Sequence, residues 1–176
     1  STTGNTDAGD IKLFGQSYSQ TGGEVVTSSG TSTSEGLEVG SGDAGNITIA
    51  RNDLGASVES FTLAEGGDIQ ATTEGSGNAG TISIANAGNL TITGTADNQA
   101  VISVAANATN SGTAGSLALS GINVDIDYAE ISASTASNAS SSSAASVTID
   151  ATGSFALDES NVTASTTGDV DAGNIT

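Results

Sequence analysis

The stretch SGDAGNITIA, residues 41–50, decides the fold because close copies of it recur along the chain. The other copies are TDAGDIKL (6–13), SGNAGTISIA (76–85), SGTAGSLALS (111–120) and VDAGNIT (170–176). In each copy, an Ala-Gly step and one polar residue precede aliphatic residues that alternate with polar ones. Alternation with a period of two is typical of a β-strand with one buried face. Repetition of such a strand predicts a stack of similar units rather than one unique site.

The spacing of the repeated glycine gives the length of one unit. The glycines of the Ala-Gly step are Gly9, Gly45, Gly80, Gly115 and Gly173. Their successive intervals are 36, 35, 35 and 58 residues, and the long interval contains a degenerate copy, AASVTID (144–150), with Ala145 in place of the glycine. We therefore expect units that begin near residues 10, 46, 81, 116, 146 and 174.

Each unit contains three alternating segments. In the third unit these are TISIA (81–85), NLTITG (89–94) and AVISVAA (100–106), and turn-forming residues separate them. Three short strands joined by tight corners make one coil of a β-helix. The sequence thus predicts an all-β fold, a parallel β-helix of about five coils that fills residues 1–176 as a single segment. The general preference for right-handed crossovers makes it right-handed.

Inward residues of successive coils should stack in ladders. On the first wall we expect Ile11, Ile47, Ile82, Leu117, Val147 and Ile175, beside Leu13, Ile49, Ile84, Leu119 and Ile149. The second wall should carry Phe61/Leu63, Leu90/Ile92, Val124/Ile126 and Phe155/Leu157. The third should carry Ile69/Ala71, Ile102/Val104, Ile131/Ala133 and Val162/Ala164. The pattern leaves the second strand of the first coil unplaced, and residues 29–41 resemble an insertion.

The corner glycines need a structural reason. We expect each to have a positive φ angle or to approach another backbone segment closely, because only glycine lacks the Cβ that would forbid either.

The charge of the chain excludes two classes of partner. Twenty acidic residues outnumber two basic ones, Lys12 and Arg51, for a net charge of −18. Such a surface repels nucleic acid and anionic membranes, which are bound through Lys and Arg. No apolar run approaches the roughly 20 residues of a membrane-spanning helix. The sequence therefore predicts no nucleic-acid partner and no membrane insertion.

The residue types that are missing narrow the chemistry further. The chain has no Cys and no His, which excludes disulfides and thiol catalysis. It has no initiator Met and no visible signal peptide, and its start, STTGNTDAGDI (1–11), resembles STTGDVDAGNI (165–175). We expect a window of a longer repeat array, whose partners are further β-helix coils of the same or identical chains, head to tail.

The repeat unit resembles a known family. Its G-[DN]-A-G-N-I-T-I form occurs as GDAGNITI (42–49) and, with two substitutions, as GNAGTISI (77–84), with ISAST (131–135) and VTAST (162–166) as third strands. This unit is similar to the repeats of filamentous-haemagglutinin-like exoproteins, the large secreted adhesins of two-partner secretion systems. The resemblance covers essentially the whole chain. It implies a right-handed parallel β-helix, export across a Gram-negative outer membrane to the cell surface, and a fibrous adhesive role. The family's N-terminal secretion domain, with its Asn-Pro motifs, has no counterpart in this proline-free sequence.

Candidate catalytic residues are few. Polysaccharide lyases need a basic proton abstractor, and glycoside hydrolases need two or three clustered carboxylates. The best carboxylate pair is Asp125 and Asp127, with Tyr128 and Glu130 nearby, and a solvated outer face is the favoured reading of it. We expect a non-enzymatic rod. A self-stacking filament subunit, a carbohydrate-binding adhesin region and a polysaccharide-active enzyme are the alternatives.

Other binding hypotheses rest on recurring polar residues. Asp7, Asp43 and Asp171 recur at the corner and are candidate Ca²⁺ ligands, but solvated turn acids are the favoured reading of them and no cofactor is expected. Of the six Asn-x-Ser/Thr triplets, Asn46 and Asn174 fit stacked structural amides. Asn107 and Asn138 are the candidate glycan acceptors. An ice-binding face would need a regular threonine array, and Thr48, Ser83, Ala118 and Thr148 form a mixed one. A glycan platform would need clustered aromatics, and Phe14, Tyr18 and Tyr128 are scattered.

Overall fold

A computed structural model describes residues 5–32, 38–52, 56–108, 112–136, 144–169 and 171–176. The described residues form strands and connections, and none of them is helical. In chain order the strands are β1 (Ile11–Phe14), β2 (Ser17–Thr21), β3 (Glu24–Ser29), β4 (Thr31–Ser32), β5 (Glu38–Val39), β6 (Ile47–Ala50), β7 (Val58–Ala64), β8 (Asp68–Thr73), β9 (Ile82–Thr93), β10 (Ala100–Ala106), β11 (Ser116–Gly121), β12 (Asn123–Asp127), β13 (Ala129–Thr135), β14 (Ser146–Ala151), β15 (Phe155–Asp158) and β16 (Asn161–Thr166).

Three walls of parallel strands make the expected parallel β-helix. The first wall has the order β1-β6-β9-β11-β14, the second β2-β7-β9-β12-β15, and the third β3-β8-β10-β13-β16. Each wall contains five strands, so the chain makes about four turns between the first and last strand of a wall. The first-wall strands begin at residues 11, 47, 82, 116 and 146.

The registers align the predicted aliphatic ladders. Ile11, Ile47, Ile82, Leu117 and Val147 are successive partners on the first wall, and an isolated bridge adds Ile175. The second and third walls also pair the predicted residues, for example Phe61 with Leu90 and Ile69 with Ile102. Parallel pairing in register keeps the ladder side chains directly above their equivalents, about 4.8 Å away. The pairing of β7 with β9 has one irregularity, between Val58 and Ser60, which lies before the Phe61–Leu90 pair.

The core is a narrow column of these ladders. Ile47, Phe61, Ile69, Ile102 and Leu117 are at most 1 % exposed. Their burial supplies the main stabilising free energy, because each such side chain contributes about 1.5–3 kcal/mol when removed from water.

The first coil contains the strand that the sequence pattern left unplaced. Strand β2 pairs with β7 and places Tyr18 beside Phe61 and Gln20 beside Leu63. Its inward residues are therefore an aromatic phenol and an amide rather than two aliphatic side chains. Beyond β3, strands β4 and β5 pair antiparallel with each other and belong to no wall, and both lie within the segment interpreted as an insertion.

Two corners differ from a simple turn. In the third coil the first and second walls are joined without a break, because β9 runs continuously through 12 residues. Asn86 lies at this bend with 5 % of its surface exposed, and its Oδ1 accepts the Gly88 N–H at 3.2 Å. At the corner between the second and third walls, Glu65, Tyr128 and Glu159 have φ angles of 48°, 46° and 41°. These left-handed residues turn the chain from one wall to the next.

Candidate functional site

The glycine corner, which we define as the Ala-Gly step before each first-wall strand, brings the backbones of successive coils close together. A Cβ added to Gly45 would lie 2.3 Å from the Gly9 carbonyl oxygen, and one added to Gly80 would lie 2.0 Å from that of Gly45. The same construction at Gly115 gives 1.8 Å to the Gly80 carbonyl oxygen. These residues do not have positive φ angles. Of the two reasons expected for the corner glycines, close approach of stacked backbones is the one that applies to these three. For Gly9 the expectation is wrong, because Gly9 does not have a positive φ angle and a Cβ there would meet nothing within 4 Å.

Asp7, one of the candidate calcium ligands, begins a hydrogen-bonded ladder at the same corner. Asp7 Oδ1 accepts the Asp43 backbone N–H at 2.9 Å, and Asp43 Oδ1 accepts the Asn78 N–H at 2.7 Å. Asn78 Oδ1 then accepts the Thr113 N–H at 2.7 Å. Each side-chain oxygen thus satisfies a backbone donor in the following coil. We call this set of residues the Asp7 ladder.

Three residues further along, a second polar ladder repeats this geometry. Asp10 Oδ1 accepts the Asn46 N–H at 2.8 Å, and Asn46 Oδ1 accepts the Thr81 N–H at 2.9 Å. Asn46 also donates its Nδ2–H to Asp10 Oδ1 at 3.2 Å. The amide therefore stacks between coils, as expected for Asn46 from its position. Asp171 and Asn174 occupy the corresponding sequence positions of the last copy.

Within the described residues, no group of three or more His, Cys, Asp or Glu side chains is placed to hold a metal ion. The carboxylates of Asp7 and Asp43 instead accept N–H groups from the coil that follows. Their geometry serves coil stacking, and calcium binding stays an untested hypothesis for them and for Asp171.

A groove of about 380 Å³ lies on the outer face of the second wall. Its polar lining includes Asn89, Thr91, Asn123 and Asp125. Asn123 donates to Asn89 Oδ1 at 2.9 Å and accepts the Ser154 hydroxyl at 2.9 Å, so a third polar ladder forms one rim. Much of the hydrogen-bonding capacity of this rim is already used between coils.

The carboxylates considered for catalysis lie along one strand. Asp125 is exposed, whereas Asp127 is partly buried beside Asp158 of the next coil. Glu130 is the second residue of β13, on the third wall, next to Asn161. Asp125 lines the groove, and Asp127 and Glu130 do not. The structure therefore does not gather the pair around one hollow.

One carboxylate has a perturbed pKa. Burial raises the pKa of Asp68 above its ordinary value of 3.8, the hydrogen bond from Gln70 lowers it, and neighbouring Glu24 raises it further. Asp68 Oδ1 is buried and has no hydrogen-bond partner among the described residues. Asp68 sits in the ladder Glu24–Asp68–Val101 on the outer face of the third wall, where it weakens the folded state when ionised.

The remaining candidates are dispersed. Asn107 is exposed and donates to Glu74 Oε1, while Asn138 lies outside the described residues. Tyr18 stacks on Phe61 with ring centroids 5.1 Å apart and so belongs to the core. Phe14 is 47 % exposed on the first coil, and Tyr128 turns the corner between the second and third walls. The three aromatic residues do not form a shared platform.

The two ends of the column expose its apolar interior. At the C-terminal end, Phe155, Leu157 and Ile175 are 50 %, 44 % and 52 % exposed. With Ile149 and Val162 they line an open hollow of about 390 Å³. At the N-terminal end, the inward residues Ile11, Leu13, Tyr18 and Val25 are only partly buried. Exposed apolar surface beside unpaired strand edges is typical of a surface that associates.

Sequence reasoning missed a second set of close contacts. A Cβ on Gly77 would lie 2.1 Å from the Gly42 carbonyl oxygen, and one on Gly42 would lie 2.1 Å from that of Thr6. The recurring Ser-Gly that precedes the Ala-Gly step was an available signal. Buried hydroxyls were also missed: Thr27 donates to the Gly45 carbonyl oxygen at 2.6 Å, and Ser29 donates to that of Gly42.

No protein-family model, curated protein or solved structure matches this chain. The part of the chain that the structure describes also contains no helix long and apolar enough to cross a membrane.

Proposed function

We propose that the chain is a structural, non-catalytic β-helical rod segment of a secreted surface adhesin or extracellular filament. The observation that carries this proposal is the continuity of the ladders. On each wall the inward side chains remain in register through five strands, and the apolar column is open at both ends. A column that is open at its ends is suited to extension.

The chemistry along the column supports a mechanical role. Backbone hydrogen bonds, the glycine corners and the polar ladders all join one coil to the next, so the repeated residues are used in stacking. Solenoids of this kind gain stability from the interface between neighbouring repeats. The partners that follow are further β-helix coils, of the same chain or of identical chains.

The extracellular location rests on the resemblance to filamentous-haemagglutinin-like repeats and on composition. A net charge of −18 keeps a rod with apolar ends soluble and is screened at the ionic strength outside a cell. The proposed location is the surface of a Gram-negative-type bacterium, and the proposed partners of the rod's outer face are host or cell-surface glycans.

Deletion of one complete coil tests the proposal in the source cell. Removal of residues 81–115 joins Gly80 to Ser116 and stacks the second coil directly on the fourth, so that Ile47 meets Leu117. A rod should tolerate this change, because every remaining ladder stays in register. We expect the shortened chain to remain folded, to reach the cell surface and to be cleaved by protease added to intact cells.

A control variant and an adhesion assay distinguish a rod from a chain that binds through the groove on the second wall. Leu119→Asp puts a charge into the column and should prevent surface display. The coil deletion removes Asn89 and Thr91, which line the groove on the second wall. If the shortened chain is displayed normally but the cells lose adhesion, the chain binds through this groove and is more than a rod. Loss of folding or display after the coil deletion would contradict the rod.

A further inference from the structure

The two ends of the chain contain the same segment. Residues 1–11, STTGNTDAGDI, and residues 165–175, STTGDVDAGNI, are identical at eight of eleven positions. The offset of 164 residues corresponds to a whole number of coils. Ile175 bridges Val147 in a parallel arrangement, and Ile47 pairs with Ile11 in the same sense. The C-terminal segment therefore has the same phase in the helix as the segment that opens the chain.

Residues 174–176 already occupy the start of a sixth first-wall strand. Val147 N–H donates to the Asn174 carbonyl at 2.9 Å, Thr176 N–H donates to the Val147 carbonyl at 3.0 Å, and Ile149 N–H donates to the Thr176 carbonyl at 2.9 Å. The other two walls have no sixth strand among the described residues, which leaves Phe155 and Leu157 half exposed.

The N-terminal end carries the side chains that would continue those walls. The second-wall ladder begins with Tyr18 and ends with Phe155, and Tyr18 already stacks on a phenylalanine, Phe61, at 5.1 Å. The third-wall ladder begins with Val25 and ends with Val162. A second copy placed head to tail would set Tyr18 over Phe155 and Val25 over Val162.

We propose that a second copy of this chain stacks on the C-terminal end, and that residues 171–176 of one copy and residues 7–12 of the next are alternative occupants of a single coil position at the junction. This inference rests on the proposed function and specifies the partner and register of its open end.

The side chains of both segments fit that position. Within one copy, Asp7 and Asp10 supply the oxygens that accept the N–H groups of Asp43 and Asn46. At the matching places the C-terminal segment carries Asp171 and Asn174, each with a side-chain oxygen of the same reach, and Ile175 matches Ile11. Either segment can therefore complete the first wall of the junction and both polar ladders.

One position cannot contain two strands, so the duplication limits association. When two intact chains join, one of the equivalent segments has to leave its place and lose its hydrogen bonds. The junction gains the second-wall and third-wall contacts at the cost of one displaced segment. We therefore expect weak head-to-tail association of the parent chain. The association should become stronger when a substitution weakens the binding of only one of the two segments to the junction position.

Four full-length chains test this competition by sedimentation velocity: the parent, Ile11→Asp, Ile175→Asp and the double variant. An aspartate makes its own segment easy to displace while the other segment fills the position. Each single variant should therefore associate more tightly than the parent, by about tenfold in Kd, or about 1.4 kcal/mol. The double variant should associate more weakly than the parent, because neither segment then fits.

Several outcomes would overturn the inference. General hydrophobic association would make both single variants weaker, and an unrelated interface would leave all four chains alike. Circular dichroism verifies that each chain is folded. If Ile11→Asp disrupts the first coil, the comparison of Ile175→Asp with the parent is sufficient. The Ile175 side chain is 52 % exposed at the end of the column, so its replacement should leave the fold intact. The two proposals can fail separately. If the coil-deleted chain reaches the cell surface but the four chains associate equally, the proposed junction is wrong and the proposed rod stands.

Discussion

At Gly80, the absence of a side chain allows two neighbouring coils to lie close together. A methyl group there would lie 2.0 Å from the Gly45 carbonyl oxygen and 2.8 Å from its carbon, both backbone atoms of the neighbouring coil. The coils would have to separate locally, which weakens the hydrogen bonds on either side. The fifth coil has Ala145 at the equivalent place, so a methyl group at this corner is compatible with the overall fold.

We therefore predict that Gly80→Ala lowers the free energy of unfolding by about 1–3 kcal/mol, the usual range for overpacking. Urea denaturation measures the change. Gly9→Ala is the matched control, since a Cβ at Gly9 meets nothing within 4 Å and should leave the stability unchanged. Equal destabilisation by both variants would mean that backbone flexibility, and not coil spacing, is responsible.

Asp68 gives a prediction on pH. Its pKa is raised in the folded chain, chiefly by burial, so the folded state binds this proton more tightly than the unfolded state does. The resulting stabilisation is fully present below pH 3.8 and is lost as the pH rises through the folded-state pKa. At neutral pH the ionised carboxylate is therefore unfavourable.

Asp68→Asn should raise the melting temperature by a few degrees at pH 7 and change it little at pH 3. Thermal melts followed by circular dichroism at the two pH values measure the difference. Asp97→Asn removes the same charge from an exposed turn and reports the general effect of lowering the net negative charge. The assignment to burial fails if Asp97→Asn gives the same gain at pH 7.

At the scale of elements, the polar ladders connect one strand to the next outside the core. Asn78 is the middle of the Asp7 ladder: it donates to Asp43 Oδ1 at 3.1 Å and accepts from the Thr113 N–H and hydroxyl at 2.7 and 3.1 Å. Replacement by alanine leaves a partly buried backbone donor without its side-chain acceptor.

We predict that Asn78→Ala lowers the free energy of unfolding by about 1–2 kcal/mol, in line with the loss of hydrogen bonds to a partly buried group. Asn161→Ala, at an exposed position on β16, should have an effect within about 0.5 kcal/mol. Chemical denaturation of both variants gives the comparison. A negligible loss at Asn78 would show that solvent replaces the ladder without cost.

Whether a strand could be predicted from the sequence depended on the side chains that it directs into the core. Strands such as β6 and β11 carry two aliphatic residues two positions apart, and their place and register follow from that pattern. Strand β2 could not be placed because its inward residues are Tyr18 and Gln20. The Gln20 side-chain amide donates to the carbonyl oxygens of Gly22 and Gly23. An inward glutamine has no signature in an alternation of apolar and polar residues.

The corners were only partly predictable for a related reason. Repeated glycine identified the glycine corner, since close approach of two backbones favours the residue without a Cβ at most of its positions. The corner between the second and third walls uses Glu65, Tyr128 and Glu159 in a left-handed conformation that non-glycine residues rarely adopt. Neighbouring coils impose this conformation, so the identity of these residues does not reveal it. The polar ladders needed the three-dimensional register before their donors and acceptors could be paired.

For the whole molecule, the central claim is that the column extends by adding coils in register. Ala164 is followed by Ser165, which matches Ser1 in the duplicated segment. A tandem chain of residues 1–164 followed directly by residues 1–176 would therefore carry the repeat through its junction without a break in phase. The covalent link also removes the competition between duplicated segments.

The length and melting of this tandem chain test the claim most directly. Five additional coils at about 4.8 Å each should lengthen the particle by about 24 Å in small-angle X-ray scattering. The tandem chain should also melt in one transition at a higher temperature than the single chain, because the exposed ends become an internal interface. Two separate particles on a flexible connection, melting at the temperature of the single chain, would contradict the account.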